Sequence, residues 1–371
     1  MALGKSRSRF AGSGQRGLHS SVVSPSVALV AVLALVLTAA PAPAQPRVTV
    51  VVAGLEVPWA IAFAPDGRLF VTERPGRIRI VKDGRLDPTP MATLPVAAQG
   101  EGGLMGLALD PAFARTGRLY ACYTTEKRGR LVNRVVTLTP RDGAAPEERV
   151  LVDDIPGAGI HDGCRVKFGL DGKLYVTTGD AGQSRLAQRR DSLAGKILRV
   201  NPDGSVPTDN PLPGSPIYSL GHRNPQGLAW DHGGRLFASE HGPSGVPGGH
   251  DELNLIRPGR NYGWPEVYGR GGDPRFVEPI LESGNDTWAP SGIAILGDHL
   301  YMTALRGQRL LRVRLTADGA VGGVENLLEH AYGRLRDVVV GPDGALYVAT
   351  SNRDGRGSPA FDDDRILKVT P

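Results

Sequence analysis

The sequence predicts an all-β chain folded as a six-bladed β-propeller, and three features carry that expectation. A turn-and-strand core recurs six times, with no amphipathic helix between copies. Short alternating strands flank most copies on both sides. The aligned leucines Leu69, Leu119, Leu174, Leu236, Leu300 and Leu346 are 50, 55, 62, 64 and 46 residues apart, about the length of a propeller blade. A β-sandwich would not account for six copies of one motif.

The cores lie at 66–72, 116–122, 171–177, 233–239, 297–303 and 343–349. Asp-Gly or Gly-Gly opens most of them and supplies the positive φ of a tight hairpin turn. The residues that follow are mostly aromatic or β-branched, as a pleated and half-buried strand prefers. A strand is expected after each core, at 77–81, 134–138, 196–200, 252–256, 309–313 and 365–369. Another is expected before most cores, at 59–63, 106–109, 165–168, 227–230 and 337–340. Pairing of the last strand, 365–369, with a strand near 48–53 would close the ring and protect both edges. The segment between core and next strand is long after Leu174 and after Leu346. Loops on a rigid scaffold carry variable chemistry, so one face of the disc, near its axis, is expected to hold a site.

The first 44 residues read differently. Lys5, Arg7, Arg9 and Arg16 precede a 14-residue apolar run at 27–40, and Ala42-Pro43-Ala44 follows it. This is the layout of a secretory leader, and the run is short of the ~20 residues that span a membrane. The expected organisation is a leader at 1–44 and one propeller domain at 45–371, exported to the periplasm or secreted, with no stable membrane insertion once the leader is cleaved. Four of the 43 basic residues and none of the 38 acidic ones lie in the leader, which leaves 39 against 38. That balance removes the main support for a nucleic-acid partner. Cys122 and Cys164 are the only cysteines. Export permits a disulfide, and two buried thiols are the equal alternative.

Four polar clusters interrupt the scaffold. Ile160-His161-Asp162-Gly163 places a histidine just before the third core. Gly221-His-Arg-Asn-Pro-Gln-Gly227 carries Arg223 and Asn224, a pair suited to a carboxylate and a carbonyl. Arg334 and Arg336 alternate, so they share one face of a strand or its lead-in, with Arg306 one blade earlier. The loop-rich stretch from Glu240-His-Gly-Pro243 through Asn261-Tyr-Gly-Trp264 offers carbonyl and carboxylate oxygens of the kind calcium takes, at irregular spacing.

These stretches, with 100–112, 193–205, 239–244, 251–266 and 289–293, run in order through nearly the whole mature chain. Together they resemble the pyrroloquinoline-quinone (PQQ) dependent aldose dehydrogenases of the glucose/sorbosone dehydrogenase family, whose six-bladed propeller agrees with the repeat count. The resemblance implies an oxidoreductase that converts aldose sugars to lactones at C1, with PQQ and calcium (Ca2+) as cofactors and an external electron acceptor. It implies that His161 is the general base that takes the proton of the anomeric hydroxyl as hydride passes to the quinone, with Asp180 placed to orient it. Arg223, Asn224, Arg334 and Arg336 match cofactor contacts, one of the last two facing a carboxylate and the other the reactive carbonyl region. Gly242 and Pro243 match backbone ligands of the catalytic calcium. Glu252 and Tyr262 match a second, structural calcium site, and Trp264 is expected in the core.

Two positions depart from the family pattern. Glu101 stands where some members have glutamine, and a carboxylate there would repel an acidic cofactor unless protonated or near calcium. Arg306 stands where lysine is frequent, which keeps the charge and changes the donor geometry. The chain is also short at 267–273, so dimerisation and glucose preference do not carry over, and the oligomeric state stays open. A calcium-dependent sugar lactonase and a non-catalytic carbohydrate-binding propeller are the rival readings of the same architecture.

Overall fold

The alternation of tight turns and short strands has its expected consequence: each repeat core pairs antiparallel with the strand before it and the strand after it. Leu69, for example, lies opposite Phe63 on one side and Val81 on the other. The computed structural model describes residue 11 and residues 46–370 other than 142, 246 and 247. It contains six antiparallel sheets, and 25 strands with one short α-helix and one 3-10 turn make up its regular structure. The molecule is a six-bladed β-propeller. The expected leader at 1–44 lies outside the described residues, apart from the single residue 11. Among the described residues no helix is long and apolar enough to cross a membrane.

The innermost strands of blades 1 to 6 are Pro58–Phe63, Leu104–Leu109, Gly163–Phe168, Pro225–Trp230, Pro290–Leu296 and Leu335–Val340. Each blade then meanders outward. The outermost strand of blade 6 is the N-terminal Arg47–Val52, paired antiparallel with Ile366–Thr370 from Arg47 opposite Thr370 to Val52 opposite Ile366. First and last strands thus close the ring, and Ile366–Thr370 is covered on both sides while Arg47–Val52 is the edge of its sheet.

Four of the six blades are tied to the next at one repeated position. Every innermost strand carries a register shift near its start. Such bulges leave backbone groups unpaired, and a hydroxyl from the repeat core meets them. Thr72 Oγ1 accepts from the Ala60 amide at 3.0 Å and donates to the Met105 carbonyl of blade 2 at 2.7 Å. Thr303 Oγ1 donates to the carbonyls of Gly292, in its own blade, and Arg336, in the next. Ser239 reaches Ser291 likewise. In blade 2 this place in the core belongs to Cys122, and the tie to blade 3 is a covalent one. Cys122 and Cys164 form a disulfide across Cα atoms 5.5 Å apart, which resolves the alternative that the sequence leaves open.

The disulfide closes a loop over a sequence separation of 42 residues. A cross-link of this kind contributes about 2–4 kcal/mol, chiefly by restricting the unfolded chain. Cys122→Ser is therefore expected to lower the denaturant midpoint of the oxidised protein, and added reductant should have little further effect on the variant. A midpoint equal to that of the oxidised parent protein would contradict this.

Candidate active site

Antiparallel pairing brings the start of each innermost strand beside the end of the second strand. The loops that leave those ends therefore open on the same face, and the long ones at 179–195, 241–251 and 351–365 all do so. The second and third of these loops contribute to the lining of a cavity of about 660 Å³. Its lining includes Glu101, His161, Arg223, Gly242, Pro243, Arg306 and Arg334, seven of the residues expected from sequence, together with His241, Asp251 and Arg356. Asp180, Asn224 and Arg336 are buried and stand behind the wall.

His161 is presented by a strained turn. Its φ is 58°, and Gly163 and Cys164 also lie at positive φ. Non-glycine residues hold that conformation only where their surroundings over-determine it. Here the His161 carbonyl accepts from Ala181 N at 3.2 Å, and its amide donates to Glu101 Oε2 at 3.0 Å. Gly179 completes the enclosure, because a Cβ there would collide with the His161 carbonyl oxygen. The ring is fixed by Asp180, whose Oδ1 lies 2.7 Å from Nδ1. Trp264 Nε1 donates to the other Asp180 oxygen at 2.8 Å. With Nδ1–H held by a carboxylate, Nε2 is the ring's acceptor. Trp264 is thus a correction to the sequence reading. It is half-buried at the site, with Arg223 5.4 Å over its ring, rather than filler of the core.

The arginines are arranged against few carboxylates. Arg334 binds Asp354 through Nε and Nη2 at 2.9 and 2.8 Å, and Arg336 Nη2 lies 3.7 Å from the same oxygen. The alternation of the two arginines therefore does place them on one side. Arg336 Nη1 donates to Gln226 Oε1 at 2.8 Å, and burial pushes its pKa down to about 9, so it remains charged at neutral pH. Arg223 Nη2 donates to Ser244 Oγ at 3.1 Å. Arg306 is exposed, and among the described residues no carboxylate pairs with it. Several buried polar atoms at this site lack partners: Arg223 Nε, Asn224 Nδ2, His241 Nε2 and Arg336 Nε. Unpaired buried donors are costly, and a cluster of them is the signature of a site built for a ligand.

Glu101 is held ionised, against the expectation of a protonated carboxyl. Burial opposes its ionisation, but the His241 ring, the Arg356 guanidinium at 2.6 Å and the His161 amide outweigh it and hold the carboxyl at about 2. Burial in turn pushes His241 down to about 3, so that ring is neutral at working pH, and Arg356 and the amide are the operative partners. An arginine from blade 6 thus neutralises the carboxylate.

The expected calcium ligands divide into two groups. The 241–251 loop is anchored by Asp251, which accepts from Gly242 N at 2.9 Å, Trp288 N at 2.6 Å and Ala289 N at 2.8 Å. Among the described residues neither the Gly242 nor the Pro243 carbonyl receives a hydrogen bond, so both are available to a cation. Glu252 and Tyr262 are placed elsewhere in blade 4. Glu252 accepts from Gly269 N and Asn254 Nδ2, and Tyr262 exchanges bonds with Leu255 O and Arg257 N while stacking on His222. Each of these side-chain oxygens accepts one hydrogen bond and keeps a further lone pair. Asp354, Arg356, His241, Asp251 and Gln226 are site residues that the sequence reading does not single out. The first two lie in the long insertion after Leu346, whose length was their only signal.

Comparison with known proteins follows the same line. The family profile for Glucose / Sorbosone dehydrogenase matches residues 55–361. The chain belongs to the glucose/sorbosone dehydrogenase family. The chain is similar to the aldose sugar dehydrogenase YliI of Escherichia coli K12, with 31% identity covering 89% of this chain and 94% of that protein. The PQQ-bound aldose sugar dehydrogenase of Streptomyces coelicolor is 42% identical, with a TM-score of 0.81 over 88% of this chain and 99% of its own. A Thermus thermophilus oxidoreductase assigned as a glucose dehydrogenase is 50% identical, with a TM-score of 0.83 over 88% and 100%. All three resemblances extend over nearly the whole propeller of this family member.

The depressed Glu101 carboxyl has a pH signature. A folded-state value of about 2 against an ordinary 4.5 means that its interactions stabilise the fold fully above about pH 4.5 and are lost as pH falls through about 2. Glu101→Gln should therefore show a shallower loss of melting temperature across that acid window. Parallel melting curves for the two proteins would contradict the assignment.

Proposed function

We propose that this protein oxidises aldose sugars at the C1 hydroxyl to lactones, as an exported dehydrogenase that uses PQQ and Ca2+ and passes electrons to an external acceptor. The observation that carries this reading is the cavity itself: a positively charged chamber with unpaired buried donors, facing a histidine held by a carboxylate. An anionic planar cofactor fits that donor set. Arg223, Asn224, Arg306, Arg334 and Arg336 would hold it, and the carbonyls of Gly242 and Pro243 would hold calcium. When bound, PQQ supplies the two-electron acceptor and calcium the Lewis acid that polarises it.

The chain's own residues do the rest. His161 Nε2 takes the proton of the sugar's O1–H. Asp180 keeps Nδ1 protonated, orients the ring, and stabilises the imidazolium that forms. Trp264 holds the second Asp180 oxygen and so keeps the carboxylate from turning away. Glu101, neutralised by Arg356, fixes the His161 amide without adding net repulsion. Oxidation removes two electrons and two protons from the sugar, one of the protons through His161.

Export is supported by the Cys122–Cys164 disulfide, since such bonds persist in oxidising compartments. The lactonase reading needs a carboxylate-rich metal centre at the axis, and the axis carries arginines instead. A second, structural calcium at Glu252 and Tyr262 is part of the same proposal, since their side-chain oxygens keep lone pairs beyond the hydrogen bonds they accept.

Purified protein given PQQ, calcium and an aldose should reduce an artificial dye in proportion to sugar. His161→Ala should lower turnover by about 10²–10⁴-fold, the scale of general-base catalysis, with PQQ affinity within a fewfold of the parent. Asp180→Asn should lower kcat more than it changes KM. Sugar-independent dye reduction, or full turnover by His161→Ala, would overturn the reading.

A further inference from the structure

Below the cavity the propeller axis is filled by charged side chains that the chemistry above does not use. Arg165, from the innermost strand of blade 3, is fully buried. Its Nε donates to the Gln226 backbone carbonyl at 2.7 Å, and its Nη1 lies 3.0 Å from Asp337 Oδ2. Its guanidinium stands 4.3 Å over the Trp59 ring, and Arg336 stands 5.8 Å from the same ring. Gln226 therefore links the two arginines. Arg165 pins its backbone, and its side-chain oxygen, also bonded by Ser291 Oγ at 3.1 Å, receives Arg336 Nη1. Arg165 Nη2 and Arg336 Nε are buried without partners.

The cost of this arrangement argues for a use. Three guanidiniums, of Arg165, Arg334 and Arg336, share two carboxylates, Asp337 and Asp354. Buried charge that is not fully paired destabilises a fold, and an apolar replacement of similar volume is often neutral or better. A simple clasp between blades would not need the excess. A rigid guanidinium aimed at an anionic ligand would, because geometry must be held within a fraction of an ångström by the residues behind it.

We propose that Arg165 is a positioning residue for Arg336, acting through Gln226 and Trp59, and that this buried layer sets how tightly the cavity binds an anionic quinone cofactor. The inference rests on the PQQ reading above. Arg165 itself touches no ligand. It fixes the carbonyl of the residue that fixes Arg336, and Trp59 gives both cations a shared face.

The test is a PQQ titration of the folded, calcium-loaded apoprotein, read by intrinsic fluorescence without sugar or dye. Arg165→Met should weaken PQQ binding about tenfold or more. Gln226→Met, which changes no charge and leaves the Arg165–Asp337 pair in place, should weaken it comparably, and it decides the question if Arg165→Met does not fold. In an Arg336→Met background, Arg165→Met should change the affinity less than twofold, because its effect passes through Arg336. Parent-like affinity in both single variants would overturn the proposal, and so would fully additive losses in the double variant. If the folded parent protein itself fails to bind PQQ, the cofactor reading falls and this inference with it. Binding by the parent with unaffected single variants removes only the inference.

Discussion

Between residues 161 and 164 the backbone makes a turn with His161, Gly163 and Cys164 all at positive φ, and the rest of the site is built against it. Two non-glycine residues in that region cost on the order of 1–3 kcal/mol each, so the turn needs restraint from several directions. The disulfide from Cys122 fixes one end to blade 2. Asn224 Oδ1 accepts the Gly163 amide from blade 4 at 3.0 Å. Glu101 holds the His161 amide, and the absence of a side chain at Gly179 lets the His161 carbonyl come close. Contacts from three blades thus converge on four residues. The inter-blade tie that is a hydroxyl at Thr72, Ser239 and Thr303 is covalent beside His161.

Electrostatics follow from the same geometry. The innermost strands of all six blades line the propeller axis. Arginines placed there lose hydration without gaining a full set of carboxylates, as the unpaired Nε atoms of Arg223 and Arg336 record. The excess is what an anionic ligand would complete. Glu101 does not spoil this, because Arg356 reaches it from blade 6 and compensates its charge within the rim. Glu101 and Arg356 are two halves of one feature, 255 residues apart in the chain.

The inner three strands of most blades were legible in the sequence because turn chemistry and period-two alternation recur around each aligned leucine. The outer strands were not. Ala144–Pro156 and Val321–Leu327 lie at the rim, are mostly exposed or half-buried, and share no motif, so neither burial nor repetition marks them. Closure of the ring was readable, since two unpaired terminal strands demand each other. At the site, His161, Arg223, Arg334 and Arg336 stood out as charged residues in motif-bearing segments. Trp264 read as core because aromatic residues usually are, and only the fold shows its indole N–H aimed at Asp180. Arg356 and Asp354 were hidden because a long insertion has no periodicity to interpret. Arg165 was hidden by lying inside a strand, where alternation says only that it faces inward.

The central claim is that the cavity converts the C1 hydroxyl of a sugar to a carbonyl at the lactone level. It is tested most directly by following an aldose labelled with carbon-13 at C1 by NMR, in the presence of the reconstituted protein and a measured amount of dye. The anomeric signals should give way to those of a lactone and its hydrolysed acid, with two electrons delivered to the dye for each sugar converted. Labelled C1 that remains anomeric while dye is consumed would contradict it, as would opening of an added lactone with no electrons released from the aldose.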